Sequence, residues 1–315
     1  MACLLIYDRR FLDHDPGRAH PECPQRIAAV LDGLRSAGFA GRLRPISFRQ
    51  AAADELALVH EPAYVDLVRL MCDEGFTSIG SDDTRLCAKS YDVAALAAGG
   101  AMAACDAVMA GTARRAFCAV RPPGHHARAD QAMGFCLFNN VAIAAEHLRR
   151  RHGLERVAIV DFDAHHGNGT QSVFESCASV LCVSIHERPG SIDFPGSGQA
   201  DEVGTGPGRG YTLNVPLSRG AGDAEYRAAI EREILPALRR FRPEMLLLSA
   251  GFDALAADAI SHLALEPESF GWITEQLLTT ADPYTGGRTV SVLEGGYALE
   301  CLGAAVARHV AALLG

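Results

Sequence analysis

The sequence has almost no lysine, no C-x-x-C pair and no long uncharged apolar run. Lys89 is the only lysine, and this reflects a composition that favours arginine. Without a C-x-x-C pair among the ten cysteines, a zinc ribbon or a thioredoxin-type motif is excluded. Several cysteines lie in apolar runs, where a reduced thiol acts as a small hydrophobe, and this favours a reducing compartment. The longest apolar stretch, 93–110, contains Asp106 and predicts a buried helix, not a membrane span.

An excess of positive charge is also absent. The formal net charge is −9, which argues against a nucleic-acid-binding body and still permits a local site for a cationic substrate. The first seven residues lack the basic segment and the longer apolar core of a signal peptide, and a first strand is predicted there, at 3–7. We therefore expect a cytoplasmic protein without nucleic-acid or membrane partners, and oligomerisation stays open.

The chain alternates short apolar runs with longer segments of helical periodicity. The predicted strands are 3–7, 116–120, 156–161, 180–185, 244–250 and 289–293. The predicted helices are 24–37, 54–73, 90–110, 139–152, 222–241, 267–280 and 298–314. Near-continuous apolar strands that alternate with helices predict an α/β fold with a parallel sheet covered on both faces. Because no repeat, charge block or linker interrupts the pattern, we expect one domain over 1–315.

Polar clusters follow the carboxyl ends of five predicted strands. They are Arg121–His126, Asp161–His166, His186, Gly251–Asp253 and Glu294–Tyr297. Ligands of open parallel sheets bind at this edge. The sequence therefore predicts a functional site where these five strands end.

The string that begins at Asp161 has the pattern of a metal site. If the strand persists, Asp161, Asp163 and His165 face one side, and their mutual repulsion and desolvation would be relieved by a cation. Oxygen and nitrogen donors suit zinc, manganese or iron better than calcium. Asp253 is the natural third ligand, although an aspartate after Gly-Phe alone more often caps a helix. The alternative interpretation is a polar loop after a buried strand.

Two adjacent histidines, His125 and His126, follow a Pro-Pro-Gly turn beside this cluster. Imidazole titrates near neutrality, so the pair is a candidate for general acid–base catalysis. Asp161 could orient one histidine and Asn168 the other. Because a carboxylate raises the proton affinity of imidazole more than an amide does, the two should differ in basicity.

Three aromatic side chains are candidates for substrate contacts. The phenol of Tyr297 could donate a hydrogen bond to an oxyanion, or belong to a core tyrosine at a helix start. Phe135 and Phe194 each lie close to a glycine and could wall a narrow apolar tunnel, although ordinary packing is the default interpretation.

Five motifs in this order resemble the zinc-dependent histone deacetylases, and within them the class II-like bacterial deacetylases and acetylpolyamine amidohydrolases. The motifs are Arg121–Ala127, Gly134–Asn140, Asp161–Thr170, Ser249–Ala254 and Leu293–Tyr297. The resemblance implies the arginase/deacetylase fold, a single domain with a central eight-stranded parallel sheet. It also implies one Zn²⁺ per chain, with Fe²⁺ as a possible substitute, and structural K⁺.

The resemblance further implies roles for individual residues. It assigns zinc to Asp163, His165 and Asp253. It assigns general base and acid catalysis to His126, the electrostatic partner role to His125 with a hydrogen bond to Asp161, and oxyanion stabilisation to Tyr297. It assigns the substrate tunnel and its rim to Phe135, Phe194, Gly134, Ile260 and Asp83, with Asp82 as the alternative to Asp83. It assigns one potassium site to Asp161, Asp163 and His165 with Ser184 and Ile185, and a second to Phe174, Cys177, Val180 and Tyr211. A weaker match places Arg26 near an acetate-release cavity.

The predicted activity is removal of acetyl or other short acyl groups from the lysine side chain in peptides or proteins. Ile260 stands where polyamine-selective relatives carry an acidic gatekeeper, and it offers nothing to a second cation of the substrate. Asn168 departs from the aspartate of class I enzymes. Hydrolysis of acetylpolyamines or other small acetylated amines is the main alternative. An arginase-like ureohydrolase would need further acidic ligands, and a non-catalytic acyl-lysine-binding module would have lost a metal ligand, His126 or Tyr297.

Overall fold

An eight-stranded sheet, parallel at every pairing, forms the centre of the fold and confirms the predicted class. The computed structural model describes residues 3–39, 41–188, 190 and 194–315. The strands are β1 (Cys3–Ile6), β2 (Leu43–Pro45), β5 (Arg115–Cys118), β6 (Val157–Asp161), β7 (Val180–Glu187), β8 (Thr212–Leu217), β9 (Met245–Ala250) and β10 (Thr289–Leu293), in the order β2-β1-β5-β10-β9-β6-β7-β8. A separate antiparallel pair consists of β3 (Ser78–Ile79) and β4 (Ser81–Arg85).

The five strands that end in polar clusters are neighbours in this sheet. They follow one another as β5-β10-β9-β6-β7. Strands β6, β9 and β10 are buried along their whole length, as their near-continuous apolar sequences predict. Because all five run in the same direction, their carboxyl ends meet at one edge and bring the five clusters together.

Helices cover the sheet. They are α1 (Gln25–Ser36), α2 (Ala53–Leu56), α3 (Pro62–Asp73), α4 (Ser90–Met109), α5 (Asn140–His152), α6 (Asn168–Phe174), α7 (Asp223–Ala229), α8 (Leu235–Phe241), α9 (Pro267–Thr285) and α10 (Leu299–Leu314). A π-helical turn, Ile230–Ile234, joins α7 to α8. Helix α4 is long and apolar enough to span a membrane, but 72% of its most apolar window is buried inside the protein, as expected of a core helix.

The predicted single helix over 54–73 is wrong. The chain forms two helices there, because the ring of Pro62 disfavours the helical conformation at Glu61, whose ψ is 134°. The residue pattern also missed two edge strands. Strand β2 is short and mostly exposed, and β8 contains the polar Asn214 and Pro216. Neither strand therefore has the sequence pattern of a buried apolar run.

Candidate active site

Asp163, His165 and Asp253 converge at the carboxyl edge of the sheet. Strands β6 and β9 pair directly, so the loops that follow them lie side by side. One ligating atom from each residue lies within 4.8 Å of the others. The Nδ1 atom of His165 is 2.9 Å from Oδ2 of Asp253 and 3.3 Å from Oδ1 of Asp163. The structure thus assembles the metal set that the sequence predicted.

Backbone donors orient both carboxylates. The N–H of Ala164 donates to Oδ1 of Asp253 over 2.8 Å, and the N–H of Gly295 donates to Oδ2 of Asp163 over 2.8 Å. The other oxygen of each carboxylate is thereby left facing His165. Burial and the charge of Asp163 raise the pKa of Asp253 to about 7, so these two anions repel each other. Two buried carboxylates and one imidazole suit zinc or iron, and a cation would remove this repulsion.

Two glycines make room for these carboxylates. A Cβ atom at Gly251 would lie 2.1 Å from Oδ2 of Asp163, and one at Gly295 would lie 2.5 Å from the same oxygen. Any larger side chain would push Asp163 out of place. Close packing against Asp163 therefore explains why Gly251 and Gly295 have no side chain.

His125 and His126 lie against each other beside this metal set, with ring centroids 3.9 Å apart and ring planes tilted by 41°. Nδ1 of His125 lies 2.8 Å from Oδ2 of Asp161, and Nδ1 of His126 lies 2.7 Å from Oδ1 of Asn168. Burial acts to lower the pKa of His125, but the charges of Asp161 and Asp163 outweigh it and raise that pKa to about 10. His125 is therefore protonated at neutral pH.

His126 has the opposite character. Burial, together with the positive charges of His125 and His165, holds the pKa of His126 well below its usual range. Because the amide oxygen of Asn168 can only accept, Nδ1 of His126 carries the proton and Nε2 has a free lone pair. The ring also lines the cavity described below. His126 is therefore a neutral base that faces any molecule bound in the cavity.

Glu294, to which the sequence analysis gave no role, positions the histidine loop. Its Oε2 accepts hydrogen bonds from the N–H groups of Gly124 at 2.6 Å and His125 at 3.1 Å, and its Oε1 accepts from the hydroxyl of Ser249. Burial raises the pKa of Glu294 to about 7, although the charge of His125 acts in the other direction. The only available signal was an acidic residue at the end of a buried strand.

Tyr297 is held by two residues from distant parts of the chain. Oδ2 of Asp258 accepts the N–H of Tyr297 at 2.6 Å and that of Ala298 at 3.0 Å. The buried Arg26 donates to the carbonyl of Gly296 over 2.6 Å, and its guanidinium carbon lies 4.8 Å from the centre of the Tyr297 ring. Burial raises the pKa of Tyr297 well above its usual range, so the phenol keeps its proton and can donate it in a hydrogen bond.

A cavity of about 390 Å³ leads to these groups. Its lining includes Asp83, His126, Gly134, Phe135, His165, Phe194, Ile260 and Tyr297. Phe135 has a left-handed backbone with φ of 67°, and the ring of His20 packs edge-on against it at 4.8 Å. The ring of Phe194 packs edge-on against His126 at 4.7 Å. All five residues predicted for the tunnel and its rim thus line one cavity, whereas the supporting role of His20 was not foreseen.

The residues predicted to hold potassium fall into two neighbourhoods. Asp161 and Ser184 are partners in the β6–β7 register and line one small gap. Phe174 ends α6, Cys177 donates its N–H to the carbonyl of Phe174, and Val180 begins β7. The carbonyl of Tyr211 accepts the N–H of Cys182 in that strand. Potassium at either place stays a prediction.

Gly134→Ala is expected to block the cavity. The added Cβ would lie 2.5 Å from Cδ2 of His126 and 2.7 Å from Cζ of Phe194, at a φ of +55°. A displacement of this size in a catalytic group typically lowers the rate by about 10²-fold. The measurement is kcat/KM with zinc content as a second readout. Gly111→Ala is the matched control, since Gly111 has a φ of +74° and no atom within 4 Å of the added Cβ. Equal activity of both variants would contradict the expected crowding.

Comparison with known proteins agrees with this site. The histone deacetylase domain family matches residues 20–313. A histone deacetylase-like amidohydrolase of Pseudomonas aeruginosa is 43% identical over 88% of this chain and 71% of its own length. Human polyamine deacetylase HDAC10 is 42% identical over 94% of this chain, which spans only 45% of that protein.

A solved structure supports the same assignment. The crystal structure of the HDA15 HD domain superposes with a TM-score of 0.94 at 38% identity, and the match covers 100% of this chain and 90% of that one. Because the family match extends over nearly the whole chain, the family's amide-hydrolysing chemistry extends to this protein. The family is zinc-dependent, and Asp163, His165 and Asp253 are a group that could hold such a metal ion. The chain belongs to the histone deacetylase family and is a deacetylase.

Proposed function

We propose that this deacetylase removes acetyl or other short acyl groups from the side-chain amine of lysine in peptides or proteins. The observation that carries the proposal is the cavity, with phenyl rings of Phe135 and Phe194 on its lining beside His126, His165 and Tyr297. Apolar walls suit the methylene stem of a lysine side chain, and the polar groups suit the amide at its end.

The catalytic steps of the chain's own residues follow from their protonation. Zinc held by Asp163, His165 and Asp253 would supply Lewis-acid polarisation of the scissile carbonyl and a lowered pKa for water. Nε2 of His126 takes the proton of the attacking water and then delivers it to the leaving amine. The adjacent charge of His125 favours that release. Tyr297 donates its O–H to the carbonyl oxygen as negative charge develops there.

The rim of the cavity supports lysine peptides over polyamines. Ile260 presents an apolar side chain to the cavity, and its N–H donates to Oδ1 of Asp258. The carboxylate of Glu187 on the same lining already accepts hydrogen bonds from Arg219 and His262. A second ammonium group on the substrate would therefore gain little here, while the Asp83 carboxylate at the rim could accept a peptide N–H.

Hydrolysis of acetylpolyamines or other small acetylated amines is the second candidate. It is favoured by the 42% identity with a protein named polyamine deacetylase. We also propose that potassium supports the site near Ser184, and that the protein works in the cytoplasm. The ten cysteines, all of which lie in the described ranges, are free thiols in support of a reducing compartment.

The two candidates are separated by measuring kcat/KM for an acetyl-lysine peptide and for N-acetylputrescine side by side. We expect the wild-type protein to prefer the peptide. Ile260→Glu should shift the ratio toward acetylputrescine by about tenfold, which corresponds to about 1.4 kcal/mol, because it adds a carboxylate for the second ammonium. Ile260→Leu, which adds no charge, is the matched control. A wild-type preference for acetylputrescine would establish the polyamine candidate instead.

A further inference from the structure

A second group of metal-ligating side chains lies far from the cavity, where α4 and α5 end side by side. Asp106 is on the last turn of α4, and His147 and His152 are on the second half of α5. Nε2 of His147 and Nε2 of His152 each lie 2.7 Å from the same atom, Oδ1 of Asp106. Two imidazole nitrogens and a carboxylate oxygen therefore meet at one point, within 4.8 Å of one another.

This point is separate from the catalytic metal set. Helix α5 begins at Asn140, next to the catalytic loops, where Asn139 donates to the carbonyl of Ala127. His152 is the last residue of the helix, twelve positions further on. At 1.5 Å per residue the two ends are about 18 Å apart. No residue of the catalytic set takes part in the second group.

The side chains of the second group are partly buried and fixed in orientation, yet the group is reached by solvent. The side chains of His147, His152 and Asp106 are 7%, 21% and 38% exposed. The two rings stand almost edge to face, at 72° with centroids 5.7 Å apart, so both Nε2 atoms can face a single ion. Gly153 ends α5 with a left-handed φ of 67° and so fixes the place of His152. One side of the group stays open to water, as a site with an exchangeable ligand requires.

The charge of Asp106 favours a bound cation, but the guanidinium of Arg151 competes for the same carboxylate. Burial acts to raise the pKa of Asp106, but hydrogen bonds with His152 and His147 outweigh it and lower that pKa, so the carboxylate is ionised. Arg149 and Arg150 are paired with Glu146. Nε of Arg151, at 3.6 Å, approaches the same oxygen of Asp106 that the histidines face. Arg151 therefore occupies part of the space that an ion would take.

We propose that Asp106, His147 and His152 form a second metal site, which binds Zn²⁺ with water as the fourth ligand and ties α4 to α5. Two imidazoles with one carboxylate are a zinc donor set, whereas Mg²⁺ and Ca²⁺ prefer oxygen ligands throughout. Three protein ligands leave one coordination position for water. Helices α4 and α5 pack against each other, so an ion here would add a link between them.

The test counts zinc ions per chain after equilibrium dialysis against Zn²⁺. We expect two per chain in the wild-type protein and one in both His152→Ala and Asp106→Asn. Asp253→Ala should also hold one, because it removes the catalytic set and leaves the second group intact. Asp66→Asn is the matched control, since Asp66 is an exposed acid paired with an arginine on α3, and it should hold two.

A second measurement makes the assignment specific. Arg151→Gln should tighten the second zinc by roughly two- to fivefold, because it removes the competing cation from Asp106. Imidazole NMR signals of His147 and His152 should shift on addition of the second equivalent of Zn²⁺ and stay unchanged with Mg²⁺. One zinc per chain in the wild-type protein, or a second zinc retained in both His152→Ala and Asp106→Asn, would overturn the proposal. The folded state of each variant is checked by circular dichroism.

Discussion

His126→Ala is expected to lower kcat/KM for an acetyl-lysine peptide by up to about 10⁴-fold. General acid–base catalysis contributes about 10²–10⁴-fold, and His126 is proposed to act both as the base and as the acid. Its neutral state is maintained by burial and by the charge of His125, and its free Nε2 results from the bond between Nδ1 and Asn168. Two other imidazoles line the cavity, but His165 belongs to the metal set and Nδ1 of His262 lies 3.1 Å from Oε1 of Glu187.

Zinc content separates this effect from loss of the metal. His126 is not among Asp163, His165 and Asp253, so the variant should bind catalytic zinc as the wild-type protein does. Exogenous imidazole should restore part of the rate, because the vacated space opens into the cavity. A variant that keeps more than a tenth of the wild-type kcat/KM would rule out His126 as the main proton carrier.

Tyr297→Phe is expected to lower kcat by about 10²–10³-fold while the protein stays folded. Removing one oxyanion-hole donor typically has an effect of this size. Only the hydroxyl is lost, and the backbone of residue 297 keeps its hydrogen bond to Asp258. Because the interaction strengthens as charge develops on the carbonyl oxygen, kcat should fall much more than KM changes.

Tyr284→Phe is the matched control for this substitution. Tyr284 lies near the end of α9 and is exposed. It is not among the described residues that line the cavity. Its activity should equal that of the wild-type protein. If Tyr297→Phe behaved like Tyr284→Phe, the oxyanion would have to be stabilised without the phenol.

Much of the site could be predicted because parallel strands present their carboxyl ends at one edge. The clusters after β5, β6, β7, β9 and β10 lie in five separate segments, and the five strands turn out to be neighbours. The metal set and the two histidines follow closely after buried apolar strands, so strand direction already brings them to this edge. The predicted helix 54–73 failed at Pro62, where a local steric effect overrides the helical periodicity.

The supporting residues could not be predicted in the same way. Glu294 holds the backbone of His125, which is 169 positions away, and Asp258 holds that of Tyr297, which is 39 positions away. A carboxylate that accepts backbone N–H groups leaves no pattern in the sequence, because its partners have no characteristic side chain. Only the packing of the loops shows which carboxylate accepts hydrogen bonds from the backbone of which loop.

The sequence by itself determined the α/β class, the edge of the sheet that carries the site and the identity of its reactive side chains. These follow from apolar runs and from the residues next to them, which are local properties of the chain. The pairing of His125 with Asp161 was already implied by the family resemblance, and tertiary structure supplied its geometry and that of the pair His126 and Asn168. Only tertiary structure brought Asp106 to His147 and His152. Such contacts depend on how helices and loops pack across the sheet, and packing distances of a few ångströms are not encoded by residue spacing.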